Sequence, residues 1–309
     1  MNKVLHLCGT LIVKERTTMP ATYAHYRFAR QMLDILPDSL NAAAKDFPSL
    51  FLTGAQGPDL MFFYRPLKFN AVNKVGYDLH DESGRLFFSN ARNLISDSPK
   101  RRDYKAYALG LLCHYALDKA CHGYIENKIR ISGVSHSEIE KEFDKYLMRL
   151  DGENPFTFDL SCGVEKDEKV AAAIVPFFNN LKSDFKKITA EDVRGALGGF
   201  RKYNRLMQGR SAAGRAVISA ALRLSGKYEK LHPMFYAHTD SAACEDSNLR
   251  LEKLFLKAKS SCLSLVAKFF ECARADRALG EDFAPTFGPC EGWQDIPVLT
   301  PEEEKQYEI

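Results

Sequence analysis

Apolar residues recur at three- and four-residue spacing through almost every long segment of this chain, and runs that alternate apolar with polar residues are few and short. A chain patterned this way buries one stripe of each helix rather than alternate residues of a strand, so an all-α fold is expected. The periodic segments predict helices over 22–35, 82–95, 104–128, 136–150, 165–181, 190–207, 212–226 and 244–275, with Pro176 expected to kink the fifth. Turn residues punctuate them: Leu36-Pro-Asp-Ser, Gly57-Pro-Asp, Gly152-Glu-Asn-Pro and Pro285-Thr-Phe-Gly-Pro. Between Phe51 and Tyr77 the breakers Gly54, Gly57, Pro58, Pro66 and Gly76 predict a long loop rich in Phe and Tyr, and long ordered loops are usually functional.

Composition bounds the class. Of 309 residues, 45% are apolar and 27% charged, and 43 Lys+Arg against 40 Asp+Glu leave a formal charge of +3. That is globular composition, which excludes a disordered or collagenous chain and gives little support to duplex nucleic acid as a partner. The length suffices for a core without covalent staples. The cysteines at 8, 113, 121, 162, 244, 262, 272 and 290 form no C-x-x-C pair, so reduced, mostly buried thiols are expected rather than a zinc ribbon or a disulfide framework. The apolar run from Val4 to Val13 is broken by His6 and Gly9 and is far shorter than the ~20 residues that span a bilayer. No small-residue cleavage site follows it. No transmembrane segment is expected, and the expected location is cytoplasmic, with secretion as the alternative. No internal repeat is evident, and 151–155 is the best candidate for a soft boundary between two helical layers.

The chemistry concentrates in Leu111-Leu-Cys-His-Tyr-Ala-Leu-Asp-Lys-Ala-Cys-His. At 100° per residue His114, Asp118 and His122 lie within about 80° of one another, so three potential ligands share one helical stripe. A single histidine on an apolar helix is more often a hydrogen-bonded core residue. A carboxylate between two of them among apolar neighbours is different, because its burial is costly unless it is paired or bound to a metal. His136 and Glu140 stand one turn apart at the start of a second helix. Gly-Pro-Asp59 is also a common turn. His80-Asp81 matches the dyad of the HD-domain phosphohydrolases, in which Asp81 would be a ligand.

Taken in order, Pro20-Ala-Thr-Tyr-Ala-His25-Tyr-Arg-Phe, Gly57-Pro-Asp59, His80-Asp, His114-Tyr-Ala-Leu-Asp118-Lys-Ala-Cys-His122 and Ser-His136-Ser-Glu-Ile-Glu140 resemble the zinc-dependent phospholipase C family, which shares its fold with the single-strand-specific zinc nucleases. The resemblance covers about residues 19–150; beyond 150 it rests on helical character alone. It implies a multi-helix zinc-nuclease-like fold with additional C-terminal helices: residues 19–150 as the metal-binding region, and 151–309 as a helical region packed on it. It implies two or three zinc ions. Asp59, His80, His114 and Asp118 would hold the first, His122, His136 and Glu140 the second, and His25 with Asp118 as a bridge the third. Imidazole nitrogen and carboxylate oxygen suit zinc. Paired ions about 3.5–4 Å apart can activate a water for in-line displacement at phosphorus. Asp59 would be a ligand or the catalytic residue that orients that water, and the activity implied is hydrolysis of a phosphodiester.

In that family a terminal amine completes the third zinc site. Residues 1–18 precede Met19-Pro20 and are expected to be an extension outside the mature chain if translation begins at Met19; Pro20 would then supply the amine. The expected substrate is a phospholipid or small phosphodiester, with peripheral membrane contact possible and single-stranded nucleic acid as the enzymatic alternative. Leu60 follows Asp59 where some phospholipase members carry an aromatic residue, which argues against choline recognition. Phe62, Phe63, Tyr64 and Phe69 could line a pocket or fill a core. The basic run Arg201, Lys202, Arg205, Arg210 and Arg215 could face phosphate or membrane, although scattered helical charges are usually solvated. His232 and His238 are expected to be structural or surface residues. A non-catalytic, metal-stabilised interaction module is the alternative from another class. A di-iron bundle fits poorly, since it wants two Glu-x-x-His motifs and the sequence has one, Glu229 to His232.

Overall fold

The computed structural model describes residues 21–179, 181, 185–226, 228 and 232–309, and among them no strand occurs. In chain order the helices are α1 (Thr22–Met32), α2 (Asp38–Asp46), α3 (Pro48–Gly54), a 3-10 helix (Gly57–Phe63), α4 (Ala71–Asp81), α5 (Gly84–Asp97), α6 (Arg102–Ser132), α7 (His136–Leu150), α8 (Glu168–Phe178), α9 (Ala190–Met207), α10 (Ala212–Leu224), α11 (Glu245–Ala275) and α12 (Pro301–Gln306). The extension 1–18 and Pro20 lie outside the described residues.

Helix α6 is the axis. It is roughly 46 Å long at 1.5 Å per residue and is buried on almost every face from Tyr104 to Ile125. A helix that apolar all round must be surrounded, and α1, α2, α3 and α11 pack against it. Leu109, Leu111 and Leu112 are fully buried, each worth about 1.5–3 kcal/mol of transfer free energy. The helix ends at Gly133, whose left-handed φ of 71° closes its last turn. Ser135 then caps α7 by accepting from the Glu138 amide at 3.3 Å. So tight a turn folds α7 back along α6 and returns His136 to the level of His122. Helices after residue 150 contribute to the same apolar cluster as those before it.

The long loop expected over 51–77 is not there. Helix α3, the 3-10 helix and α4 occupy most of that stretch, and α2 was likewise absent from the sequence reading. The glycines taken as breakers are packing residues. A Cβ on Gly54 would collide with the α6 backbone at Tyr107 and Gly110, and one on Gly76 would press on the Phe62 ring. Pro176 sits inside α8, where Asn90 Nδ2 donates to the carbonyls of Pro176, Phe177 and Asn179 and ties off the end of that helix. The described cysteines are free thiols. Among the described residues no helix is long and apolar enough to cross a membrane.

Candidate metal centre

The α6 stripe holds in three dimensions, and the other elements deliver their donors to it. Asp118 Oδ2 lies 3.0 Å from His114 Nε2 one turn away, and Oδ1 lies 3.2 Å from His25 Nε2 on α1. Asp59 on the 3-10 helix places Oδ1 2.9 Å from His80 Nε2 at the end of α4, and that nitrogen stands 3.9 Å from Asp118 Oδ2. At the start of α7, His136 Nε2 is 3.1 Å from Glu140 Oε1, and its ring centroid is 5.5 Å from that of His122. Three sets result: Asp59, His80 and His114; His25, His114 and Asp118; His122, His136 and Glu140. Within each set the ligand atoms lie within 4.8 Å of one another. All the candidate ligands among the described residues belong to one of these sets. Asp81 is exposed and belongs to none of them, which weighs against the HD-domain reading.

Main-chain carbonyls fix the rings. His114 Nδ1 donates to Ala55 O at 3.2 Å, His80 Nδ1 to Gly76 O at 2.7 Å and His122 Nδ1 to Phe287 O at 2.6 Å. A carbonyl can only accept, so each Nδ1 carries a proton and Nε2 is the nitrogen whose lone pair becomes free when the imidazole is neutral. Ligating histidines are commonly oriented in this way. Gly57 permits the approach of Asp59: its φ is +54°, and a Cβ there would strike the His114 ring. The amino end of α1 is anchored by Asp144 on α7, whose carboxylate accepts from the amides of Tyr23 and Ala24 at 3.1 and 2.9 Å and from the Tyr236 hydroxyl at 2.8 Å. That anchor sets the height of His25.

The site is a buried assembly of mutually dependent charges. Burial pushes the Asp118 carboxyl up, but the His114 and His122 rings outweigh it and hold it well below the usual carboxylate range. Asp59 is lowered in the same way, by His114 and His80 against burial. Burial opposes charge on His80, yet the hydrogen bond and charge of Asp59 raise it to about 9. His136 is raised to about 10 by Glu140 and Glu126, again against burial. Burial, then the charges of Asp118 and Glu140, push the Cys121 thiol up, so it stays protonated and offers no thiolate.

The donor set fits zinc. Among the described residues His25 Nδ1, His114 Nε2, Asp118 Oδ2 and Glu140 Oε2 are buried without a hydrogen-bond partner, a costly state, and of these His114 Nε2 and Asp118 Oδ2 stand 3.0 Å apart, where a cation would satisfy both. His25, Asp118, His122 and Glu140 border a cavity of ≈ 20 Å³, about the size of one small bound species.

Besides the Asp144 anchor, two contributors escaped the sequence reading. Glu126 continues the α6 stripe one turn past His122 and stands 3.8 Å from His136 Nδ1; the four-residue spacing could have revealed it. Phe287 offers a carbonyl and a ring that packs on His80 and His114 at 5.6 and 5.8 Å between centroids. No pattern signals a main-chain acceptor that far along the chain. His238 stacks on Phe156 and His232 on Tyr228, and neither joins a ligand set.

The family model of zinc-dependent phospholipase C matches residues 24–191. The chain belongs to this family. The match contains every ligand candidate from His25 to Glu140, and it runs past residue 150, where the motif resemblance stopped, to the start of α9. As a zinc-dependent phospholipase C family member, the chain carries among its described residues three His/Asp/Glu clusters that could hold a metal ion. It also carries α10, α11 and the Phe287 segment beyond the matched region. No curated protein and no solved structure gives a match.

Proposed function

We propose that this chain is a zinc-dependent phosphoesterase of phospholipase C type, acting on a phospholipid or a related phosphodiester. The observation that carries this reading is the gathering of three donor sets in one buried place, two of them sharing His114 and one containing Asp118, with buried donor atoms that lack hydrogen-bond partners. Asp59, His80, His114 and Asp118 would hold a first ion, His122, His136 and Glu140 a second, and His25 with Asp118 a third. Bound zinc would supply a Lewis acid and a water acidic enough to attack near neutral pH. Asp59, its carboxyl held below the usual range beside His80, would serve as a ligand of the first ion or as the residue that orients the attacking water. Ala55, Gly76 and Phe287 keep the imidazoles in one tautomer throughout.

Rings run outward from the site. Phe62 stacks on His80 at 5.3 Å, Tyr77 on Phe62 at 4.4 Å, and Phe69 lies 5.9 Å from Tyr77 and is 63% exposed. Such a run accepts the apolar part of a glycerolipid. It would also stack a base, which is what supports the nuclease alternative. The test is a panel of a long-chain phospholipid, a short soluble phosphodiester, single-stranded DNA and RNA, assayed on protein of measured zinc content. Cleavage of the lipid and the short diester is expected. Preference for single strands would favour the nuclease reading, and no turnover at full zinc content would refute the enzyme reading in favour of a structural metal site.

A further inference from the structure

Helix α10 turns an apolar face to solvent. Ala213, Ala216, Val217, Ala220 and Leu224 fall within about 100° of one another on its surface, and all are exposed, Val217 by 70% and Leu224 by 90%. The half-buried side, toward the protein, is the one that carries Arg215 and Ser219 along with Ile218 and Leu222. A helix of a water-soluble surface shows the opposite arrangement. One exposed leucine needs no explanation, but a whole face does.

The stretch of chain that carries this face has one sign of charge, and the acidic neighbour of its arginines comes from elsewhere: Asp159 lies beside Arg201 and Arg205. Between Asp192 and Glu229 the chain contains no acidic residue. Arg201, Lys202 and Arg205 on α9, with Arg210 and Arg223, are exposed, and Leu206 among them is 41% exposed. An apolar helical face in an acid-free stretch of chain, with Arg223 on the helix and Arg201, Lys202, Arg205 and Arg210 shortly before it in sequence, is the chemistry of a helix that lies in the headgroup region of a bilayer. We propose that α10 and the C-terminal half of α9 dock on an anionic lipid surface. Val217 and Leu224 enter the boundary between headgroups and acyl chains, and the exposed arginines and lysine meet lipid phosphates. A second copy of the same surface would set like charges against one another, so a dimer through this face is disfavoured. None of these residues belongs to the metal centre, so the proposal stands apart from the proposed activity.

The test is co-sedimentation of the full chain with vesicles of phosphatidylcholine alone, and with vesicles in which about one-third is replaced by phosphatidylglycerol. Binding to the anionic vesicles that weakens with added salt is expected. Val217→Asp with Leu224→Asp should lower it by about tenfold or more. Arg201→Gln and Arg205→Gln should each lower it by about fivefold on anionic vesicles and leave the residual binding to neutral vesicles unchanged. Helical content and hydrolysis of a soluble phosphodiester, read in parallel, should not change in these surface variants. The proposal is overturned if the wild-type chain ignores anionic vesicles, or if the folded Val217/Leu224 variant binds them as well as wild type does. A dimer abolished by the same substitutions, without vesicle binding, would also overturn it.

Discussion

Replacing Asp118 by asparagine keeps the shape of the side chain and removes its charge beside three of the candidate histidines. In the folded chain its oxygens approach His25 Nε2 at 3.2 Å and His114 Nε2 at 3.0 Å, and His80 Nε2 stands 3.9 Å away. Asparagine offers one acceptor oxygen and puts an amide N–H₂ where the second oxygen stood, so one of the two positions that could bind a cation becomes a donor that cannot. Loss of an outer-shell partner of a metal ligand typically costs about 10–100-fold in affinity. A residue placed to bind directly to more than one ion should cost more, on the order of 100-fold or about 2.8 kcal/mol at the weaker site. Asp118→Asn should therefore purify with at least one zinc fewer per chain, and its remaining zinc should pass faster to a chromophoric chelator. Elemental analysis and chelator competition measure both, and circular dichroism checks that the helices persist. A folded Asp118→Asn protein with full zinc and unchanged competition would refute the bridging role.

Three further outcomes follow from the same geometry. Asp59→Asn should lower turnover by about 10²–10⁴, whereas Asp81→Asn should leave turnover and zinc content nearly unchanged, because Asp81 is exposed and outside the ligand sets; steady-state assays of the two with metal analysis decide it. In the metal-free protein the raised values of His80, about 9, and His136, about 10, stabilise the fold fully below the unfolded value near 6.5, and that stability is lost as pH rises through 9–10. Thermal melts of stripped protein should thus weaken between about pH 7 and 10, and zinc, which needs neutral imidazole, should protect more as pH rises; a flat profile for stripped protein would contradict this. Phe287→Ala keeps the carbonyl that His122 bonds but removes the ring packed on His80 and His114; it should cost about 3–5 kcal/mol of stability and, by loosening the seat of those rings, weaken zinc retention, and a melt that falls while zinc retention stays at the wild-type level would limit Phe287 to packing.

The sequence was most informative where one helix carried the pattern. His114, Asp118 and His122 were legible because periodicity alone puts them on one stripe, and the same rule extended by one turn reaches Glu126. Helix α4 was not legible, because Gly76 reads as a breaker until the Phe62 ring is known to occupy the place of its Cβ. The same holds for Gly54, whose counterpart Gly110 lies on another helix. The Asp144 anchor of α1 joins side chain to main chain across 120 residues, and no local spacing encodes it. The role of Phe287 is further still from the sequence, since the group that acts is a carbonyl that any residue would possess. Local chemistry was readable; the long-range main-chain contacts that orient it were not.

The matched region, residues 24–191, contains all the ligand candidates among the described residues but not all that holds them. Helix α6 buries its face opposite α3 against Leu251, Phe255, Cys262 and Leu265 of α11, and the Cys262 thiol approaches Leu112 O at 3.9 Å. Past α11 the chain returns over the centre: Tyr115 hydroxyl donates to Pro285 O at 2.9 Å, His122 to Phe287 O, and Asn127 Nδ2 to Ile296 O at 2.6 Å. Three side chains of α6, spaced over three turns, are thus bonded to one segment outside the match, and one of the three is a ligand candidate. The end of that segment is pinned in turn, since Arg250 on α11 forms a buried ion pair at 2.7 Å with Glu304 on α12. Breaking such a pair from one side leaves an uncompensated buried charge. The C-terminal helices are therefore part of the support that gives His122 its tautomer and α6 its place, and the metal centre belongs to the whole chain rather than to its first half.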